Sequence, residues 1–216
     1  MRDCELLLCL RRGRTRSPSF TMRSLIKSNI AILSQKIALL DLLVTKHGAI
    51  EASNAFQKKC PIVGASIGQH YRHSMDHVEL IALVASSARD ASTPQGELHY
   101  DLRVRGGTLE KDLAASRKRL SDVAEVFKSL KIGDAKNNLI TSQRVTAYFN
   151  LSADDDAEIA LPSTVERELG FVVHHAIHHL AMVKIICLQT VGISEDELPE
   201  GFGRAPSTML FDKMQA

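Results

Sequence analysis

The sequence predicts an all-α fold, a four-helix bundle with a small hairpin or extended excursion before the last bundle helix. The chain has 216 residues, of which 44% are apolar and only 5% aromatic, and it contains no tryptophan. A core of aliphatic side chains and alanine favours helix-on-helix packing over a β-sandwich. Apolar residues recur at intervals of three and four along several segments, which is the period of an amphipathic helix.

Four segments carry this helical pattern. Gly48 follows the first segment and predicts its end, while Ser163 and Glu166 have the spacing of a capping box at the start of the last. The last segment is apolar on almost every side, so we expect it to be central in the domain. The predicted helices span residues 28 to about 45, about 63 to 88, about 108 to 130, and 163 to about 192.

Two connections between these helices differ in character. Residues 89–107 contain Pro94, Gly96, Gly106 and Gly107, which predict a long loop. Between residues 139 and 161 apolar and polar side chains alternate, which predicts the small hairpin. Near the end of the chain, residues 199–208 are rich in glycine and proline and predict either a cover for one end of the bundle or a surface tail.

The charge is divided unevenly along the chain. The formal net charge is +2, but residues 1–27 hold seven basic and two acidic side chains, which leaves −3 for residues 28–216. We therefore interpret residues 1–27 as a basic, poorly ordered leader and residues 28–216 as a single domain. The acidic body argues against nucleic acid as a partner, since binding requires clustered cations. We expect a cytoplasmic location, with the leader as an upstream extension and Met22 as the true start. The alternative is a mitochondrial location, because the leader resembles a transit peptide.

Cysteine content and hydropathy indicate the kind of compartment in which the protein is found. The four cysteines have no metal-type spacing, and a disulfide framework is not expected, which favours a reducing compartment. The most apolar long stretch, residues 171–191, is interrupted by four histidines and Lys184. We therefore expect no membrane span.

Seven of the nine histidines fall in two short windows on predicted helices. Spacings of three and four place side chains on one helical face, where two imidazoles can coordinate one cation. Buried imidazoles need a partner, and a metal ion would supply one. Zinc, nickel and iron(II) all accept imidazole, and three protein ligands would leave a position open for water or substrate. The first window holds His70, His73 and His77, and the second holds His174, His175, His178 and His179.

These two windows resemble the DinB-like metal-binding four-helix bundle superfamily. The matching segments are residues 66–77 (SIGQHYRHSMDH) and 168–179 (ELGFVVHHAIHH). The resemblance implies an up-down-down-up bundle with one ligand on the second helix, His73, and a pair on a later helix, His175 and His179. Leu180-Ala181-Met182 stands where the family commonly has Arg-Gly-Gln. Secondary ligand candidates are His70, which competes with His73, together with His77 and His178.

The resemblance also implies a chemistry. Similar bundles include bacillithiol and mycothiol S-transferases, in which a divalent metal activates a thiol. The resemblance therefore implies a small-molecule substrate, such as a thiol, and a homodimer. A metal-dependent thiol S-transferase or hydrolase-like enzyme is the first hypothesis. The alternative is a non-catalytic bundle that is stabilised by metal or senses it, and that acts through dimerisation or a partner.

Three further residues are candidates for catalysis or substrate binding. Arg103 and Arg105 lie in a glycine-flanked loop and have the fork geometry that binds carboxylates. The alternative is that Asp101 pairs with one of these arginines, in which case the pair only fixes the loop. Tyr71, between the first two histidines of its helix, is the third candidate.

Overall fold

The protein is mostly helical and carries a small three-stranded sheet. The computed structural model describes residues 18–87, 96–102, 105–130, 143–154 and 157–215, with side chains from residue 21 onward. The helices are α1 (Pro18–Gln57), α2 (Ile67–Ser87), α3 (Leu113–Ser129), α4 (Val165–Ile186) and α5 (Pro206–Gln215), and the strands are β1 (Gly96–His99), β2 (Arg144–Phe149) and β3 (Ile159–Thr164). Short 3₁₀ turns cover Thr108–Glu110 and Glu195–Glu197, and a π turn covers Cys187–Val191.

Helix α1 begins ten residues before the predicted start at residue 28. Met22 and Ile26 are each only 5% exposed, so part of the predicted basic leader is helical and packed in the core. Its charged residues Arg23 and Lys27 lie on the exposed face, where they do not interrupt the apolar stripe. Gly48 has φ 77° and interrupts the helical geometry, but the chain resumes helix beyond it. Residues 1–17, including most of the predicted transit peptide, lie outside the described residues.

The long helices α1, α2, α3 and α4 pack on one another around an aliphatic core. Helix α1 contacts α2, α3 and α4, while α2 contacts α3 and lies directly against α4. Because α2 and α4 carry the two histidine windows, this contact decides which imidazoles meet. The core is mainly aliphatic, with Leu33, Leu40, Ile81, Leu120 and Val183 among its buried members. Within the described residues it also holds five aromatic side chains, those of Phe56, Tyr71, Tyr100, Phe127 and Phe202.

The sheet contains the predicted hairpin and one additional strand. Strands β2 and β3 pair antiparallel, as the alternating pattern predicted. Strand β1 pairs parallel with β2 and lies inside the segment predicted as a long loop, so that prediction was wrong for residues 96–99. A strand of four residues is too short to show an alternating pattern of its own. Gly96 lies close against Val84 of α2, and a Cβ there would be 2.9 Å from the valine side chain.

Helix α4 begins at Val165, one residue later than a cap at Ser163 predicts. Thr164, not Ser163, is the N-cap, because its hydroxyl accepts a hydrogen bond of 3.2 Å from the backbone N–H of Arg167. The predicted capping box of Ser163 and Glu166 is therefore wrong. Ser163 is still in β3, and its hydroxyl donates to the Glu168 carboxylate over 2.5 Å. Gly192, at φ 78°, ends this helical region as expected.

Two helical segments, Thr21–Gln57 and Val165–Val191, are long and apolar enough to cross a membrane by length and composition. A core helix of a soluble protein passes the same test. Both segments contribute to the core of this domain, and the second carries four histidines. The absence of a membrane span stays a prediction.

Candidate metal centre

Three imidazoles from α2 and α4 bring their Nε2 atoms together. The Nε2 of His175 lies 3.2 Å from the Nε2 of His73 and 3.1 Å from the Nε2 of His179. His175 and His179 are four residues apart on α4, so they lie one above the other on the face that packs on α2. His73 projects from α2 toward the same point.

These separations fit a metal site. Metal–nitrogen bonds of about 2.0 to 2.1 Å place tetrahedral ligands about 3.3 Å apart and octahedral ligands about 2.9 Å apart. The ring of His73 makes angles of 82° with that of His175 and 87° with that of His179, and the last two rings are inclined by 69°. Rings steeply inclined to one another can direct their in-plane lone pairs at one point.

Hydrogen bonds between the rings account for the cluster less well than a shared metal ion does. The His175 Nε2 carries either one proton or one lone pair, so it can make a good hydrogen bond to only one of its two close neighbours. The other contact would then lack a well-directed hydrogen bond. A cation accepts all three lone pairs at once, which makes the donor set of His73, His175 and His179 chemically suitable for a divalent metal.

His77 offers a second combination of ligands. The nitrogens of His73, His77 and His175 lie within 4.8 Å of one another. However, the rings of His77 and His175 are stacked at 4.2 Å and only 5° apart in plane. Parallel rings direct their lone pairs side by side. We therefore favour His179 over His77 as the third ligand and treat His77, which also stacks on Tyr100, as a wall of the site.

His70 does not take the place of His73. Its Nδ1 lies 2.8 Å from the Nδ1 of His179, on the opposite side of that ring from the Nε2 cluster. Burial lowers the pKa of His70 to about 4, with smaller effects from His178 and Lys36. Burial also strongly lowers the pKa of His179, and the neighbouring His175 and His73 add to the effect. Both rings are therefore neutral near pH 7, which is the form that binds metals.

The remaining histidines of the second window are on the outside. His174 and His178 are exposed, whereas His179 is only 9% exposed. The ring of His178 touches that of His179 at 5.2 Å between centroids, but it remains at the surface. The orientation of α4 against α2 thus selects the pair of His175 and His179 rather than His174 and His178.

A buried lysine beside the histidines is a feature that the sequence analysis missed. Lys36 of α1 has no exposed surface, and its ammonium donates to the hydroxyl of Ser74 over 2.5 Å. The pKa of Lys36 is lowered to about 7, mainly by burial and to a smaller extent by Arg119, with a partial offset by Asp76. The available signal was its position, three residues after Leu33 and four before Leu40 on the apolar stripe of the helix.

A second missed feature is a buried carboxylate near the wall of the site. Glu168 is fully buried and accepts hydrogen bonds from the hydroxyls of Tyr100 (2.8 Å) and Ser163 (2.5 Å). Arg167 pairs with the same carboxylate. Burial raises the pKa of Tyr100, as does the adjacent Glu168, so the tyrosine stays protonated and donates. This network links the end of β1 to α4 beside His77.

Of the other predicted candidates, the structure describes Tyr71 and Arg105. Tyr71 is 1% exposed, packs edge-on against Phe56 and donates to the backbone carbonyl of Lys36, which is a structural contact. Arg105 is exposed, and Arg103 lies outside the described residues. Asp101 accepts a hydrogen bond from the backbone N–H of Asn150, so this contact fixes the loop to β2.

Charged residues of α2, α3 and the Thr108–Glu110 turn form an ion-pair network away from the histidines' Nε2 atoms. Arg72 pairs with Asp76 and with the buried Glu110, and Arg119 pairs with Asp76. A cavity of about 470 Å³ lies over this network. Because both arginines are already paired with carboxylates, we interpret the network as a structural link between α2 and α3.

The segment after α4 is not a plain tail. Phe202 is 2% exposed, and Gly203 lies against the backbone of Leu180 in α4. The segment of residues 199–208 therefore lies against the helix that carries the histidine pair at Gly203, while several of its other residues are exposed.

Comparison with known proteins gives limited similarity. The chain resembles a protein from Rhizopus delemar named FK506-binding protein 5 over 130 residues, with 32% identity, covering 60% of this chain and 31% of the relative. The chain thus spans about a third of the length of that relative. No family model matches the chain, and no solved structure matches it. The case for a metal centre therefore depends on the geometry of the histidines.

Proposed function

We propose that the protein binds one divalent transition metal ion through His73, His175 and His179. The observation that carries this proposal is the pair of Nε2 separations, 3.2 and 3.1 Å, made by rings that are steeply inclined to one another. Zinc, nickel and iron(II) all suit three imidazole ligands.

The proposal includes the architecture. Helices α1 to α4 would form a DinB-like four-helix bundle of up-down-down-up type, with β1 to β3 in the connections. The mutual packing of α1, α2, α3 and α4 supports this arrangement, as does the placement of the three ligands on α2 and α4.

We further propose that the site acts on a small molecule, with thiol S-transfer or a related reaction as the first candidate. An ion held by three neutral imidazoles keeps its full charge, retains open positions, and lowers the pKa of a bound water or thiol. His73 and His175 are only partly buried, so a ligand can reach them from solvent. Phe171 and Tyr100 supply apolar surface beside the rings of His175 and His77 and exclude water from that side.

Metal affinity of single variants tests the ligand assignment. Purified protein, stripped with a chelator, is titrated with zinc, nickel and iron(II) in competition with a chromophoric chelator. We expect one ion per wild-type chain and a loss of affinity of about 100-fold or more for His73→Ala, His175→Ala and His179→Ala. His178→Ala is the matched control, because it removes an exposed imidazole from the same helix. Equal binding by all variants would rule out this ligand set.

A thiol assay separates the enzyme from the non-catalytic alternative. The metal-loaded protein is incubated with a low-molecular-weight thiol and an alkylating electrophile, and loss of free thiol is followed with time. The proposal expects metal-dependent consumption that His175→Ala abolishes and His178→Ala retains. Stoichiometric metal binding without turnover, combined with a large rise in melting temperature on metal addition, would favour the metal-stabilised bundle instead.

A further inference from the structure

The imidazole of His179 is engaged at both of its nitrogens. Its Nε2 faces the Nε2 of His175 at 3.1 Å, and its Nδ1 faces the Nδ1 of His70 at 2.8 Å. The centroids of the His70 and His179 rings are 5.1 Å apart, with their planes inclined by 50°. His70 therefore contacts the Nδ1 of His179, whereas the Nε2 of the same ring is the proposed metal ligand.

The two Nδ1 atoms at this distance must share one proton. Two protonated nitrogens would repel each other, and two lone pairs would do the same, so one ring donates and the other accepts. If His179 gives its Nε2 lone pair to a metal, its Nδ1 carries the proton. The Nδ1 of His70 is then the acceptor, and His70 carries its own proton on Nε2.

We propose that His70 is a positioning residue that fixes the tautomer and the ring orientation of the metal ligand His179. This inference depends on the proposed metal site. A histidine ligand commonly donates its second N–H to an acceptor, and loss of that acceptor weakens metal binding by about 10- to 100-fold. A neutral imidazole as acceptor, in place of a carboxylate, adds no negative charge, so the ion keeps its attraction for an anionic ligand such as a thiolate.

The surroundings hold His70 in place for this role. Its backbone carbonyl accepts a hydrogen bond of 2.7 Å from the hydroxyl of Ser74, which in turn accepts from the buried Lys36. Among the described residues, the buried Nε2 of His70 has no hydrogen-bond partner. The second nitrogen of the ring is thus not committed to a contact that would turn Nδ1 away from His179.

A pair of substitutions at this position tests the proposal. In His70→Asn, the side-chain oxygen can occupy the place of Nδ1 and accept the same hydrogen bond, whereas His70→Leu fills the space without an acceptor. Zinc affinity is measured by competition with a chromophoric chelator, and the visible spectrum of the cobalt(II) form reports the ligand field. Wild type and His178→Ala are the references, and circular dichroism with a thermal melt shows that each stripped variant folds.

The expected result is a 10- to 100-fold loss of zinc affinity in His70→Leu with an altered cobalt spectrum, and recovery to within about threefold of wild type in His70→Asn. Wild-type affinity in His70→Leu would overturn the positioning role and leave the metal site intact. Equal and complete loss in both variants would overturn it in favour of His70 as a direct ligand. Absence of metal binding in the wild type would instead refute the proposed function itself.

Discussion

The side chain of Lys36 donates to the hydroxyl of Ser74 over 2.5 Å at a position with no exposed surface. Ser74 follows the proposed ligand His73 on α2, so a buried amine from α1 lies one residue from the proposed metal site. Its ammonium also lies over the ring of Tyr71, 5.2 Å from the centroid. A cation in this position must be compensated or deprotonated, because burial of an uncompensated charge is costly.

The substitution Lys36→Met tests how this amine affects stability. Burial lowers the pKa of Lys36 to about 7, below the ordinary 10.5. Between these values the unfolded chain binds a proton that the folded chain does not, so the free energy of unfolding rises with pH over this range. Urea unfolding at pH 7 and pH 9.5 should show this rise in wild type and in the exposed control Lys27→Met, and a smaller rise in Lys36→Met. The same rise in all three proteins would contradict a lowered pKa at Lys36.

Acid should destabilise the metal-free protein through its buried histidines. The pKa of His70 falls to about 4, and that of His179 is also lowered. Below about pH 6.5 the unfolded chain therefore binds protons before the folded chain does, and stability decreases as the pH falls toward 4. Denaturation with a chelator present, at several pH values, should show a shallower decrease for His179→Ala than for His178→Ala. A decrease as steep in His179→Ala as in the control would assign it to other groups.

Replacement of Glu168 by glutamine tests the buried carboxylate network. The glutamine amide places an N–H₂ group against donors, so a hydroxyl of Tyr100 or Ser163 loses its acceptor. We expect a loss of about 1 to 3 kcal/mol in the free energy of unfolding. Glu166→Gln, on the same turn of α4 and less buried, is the matched control and should change stability by less than about 0.5 kcal/mol. Equal effects would mean that the hydrogen bonds to Glu168 contribute little.

Gly68→Ala tests the close approach of α2 to the Thr108–Glu110 turn. A Cβ at this position would overlap the carbonyl oxygen of Glu110 and approach the ring of Phe56 to 2.8 Å. Backbone must move to relieve the clash, so we expect a loss of about 1 to 3 kcal/mol by urea unfolding. A Cβ at Gly107 would meet nothing within 4 Å, which makes Gly107→Ala the control. Wild-type stability in Gly68→Ala would show that the turn shifts at little cost.

The periodicity of the sequence was sufficient to predict the long helices and the hairpin of β2 and β3. It was insufficient to predict where these elements begin and end, because single contacts determine those positions. Thr164 caps α4 because Ser163 is still paired in the sheet, and a pairing partner is not visible in local sequence. Likewise, residues 18–27 were interpreted by their charge, although Met22 and Ile26 continue the apolar stripe of α1.

The sequence was sufficient to identify the histidines of the candidate site but not to predict which of them face one another. Spacing alone gave both four-residue pairs in α4 equal standing, and the helix orientation, set by packing on α2, turns His175 and His179 inward. Spacing also left His70 and His73 in competition. The fold distinguishes them by their contacts: the Nδ1 of His70 faces the Nδ1 of His179, whereas the Nε2 of His73 faces the Nε2 of His175.

Anomalous scattering from crystals loaded with zinc tests whether His73, His175 and His179 together bind a metal ion. Data collected on both sides of the zinc absorption edge locate the ion independently of the protein atoms. The account predicts one strong peak per chain, about 2.0 to 2.2 Å from the Nε2 atoms of His73, His175 and His179. A peak coordinated by His77 in place of His179, or no peak between α2 and α4 at saturating zinc, would contradict it.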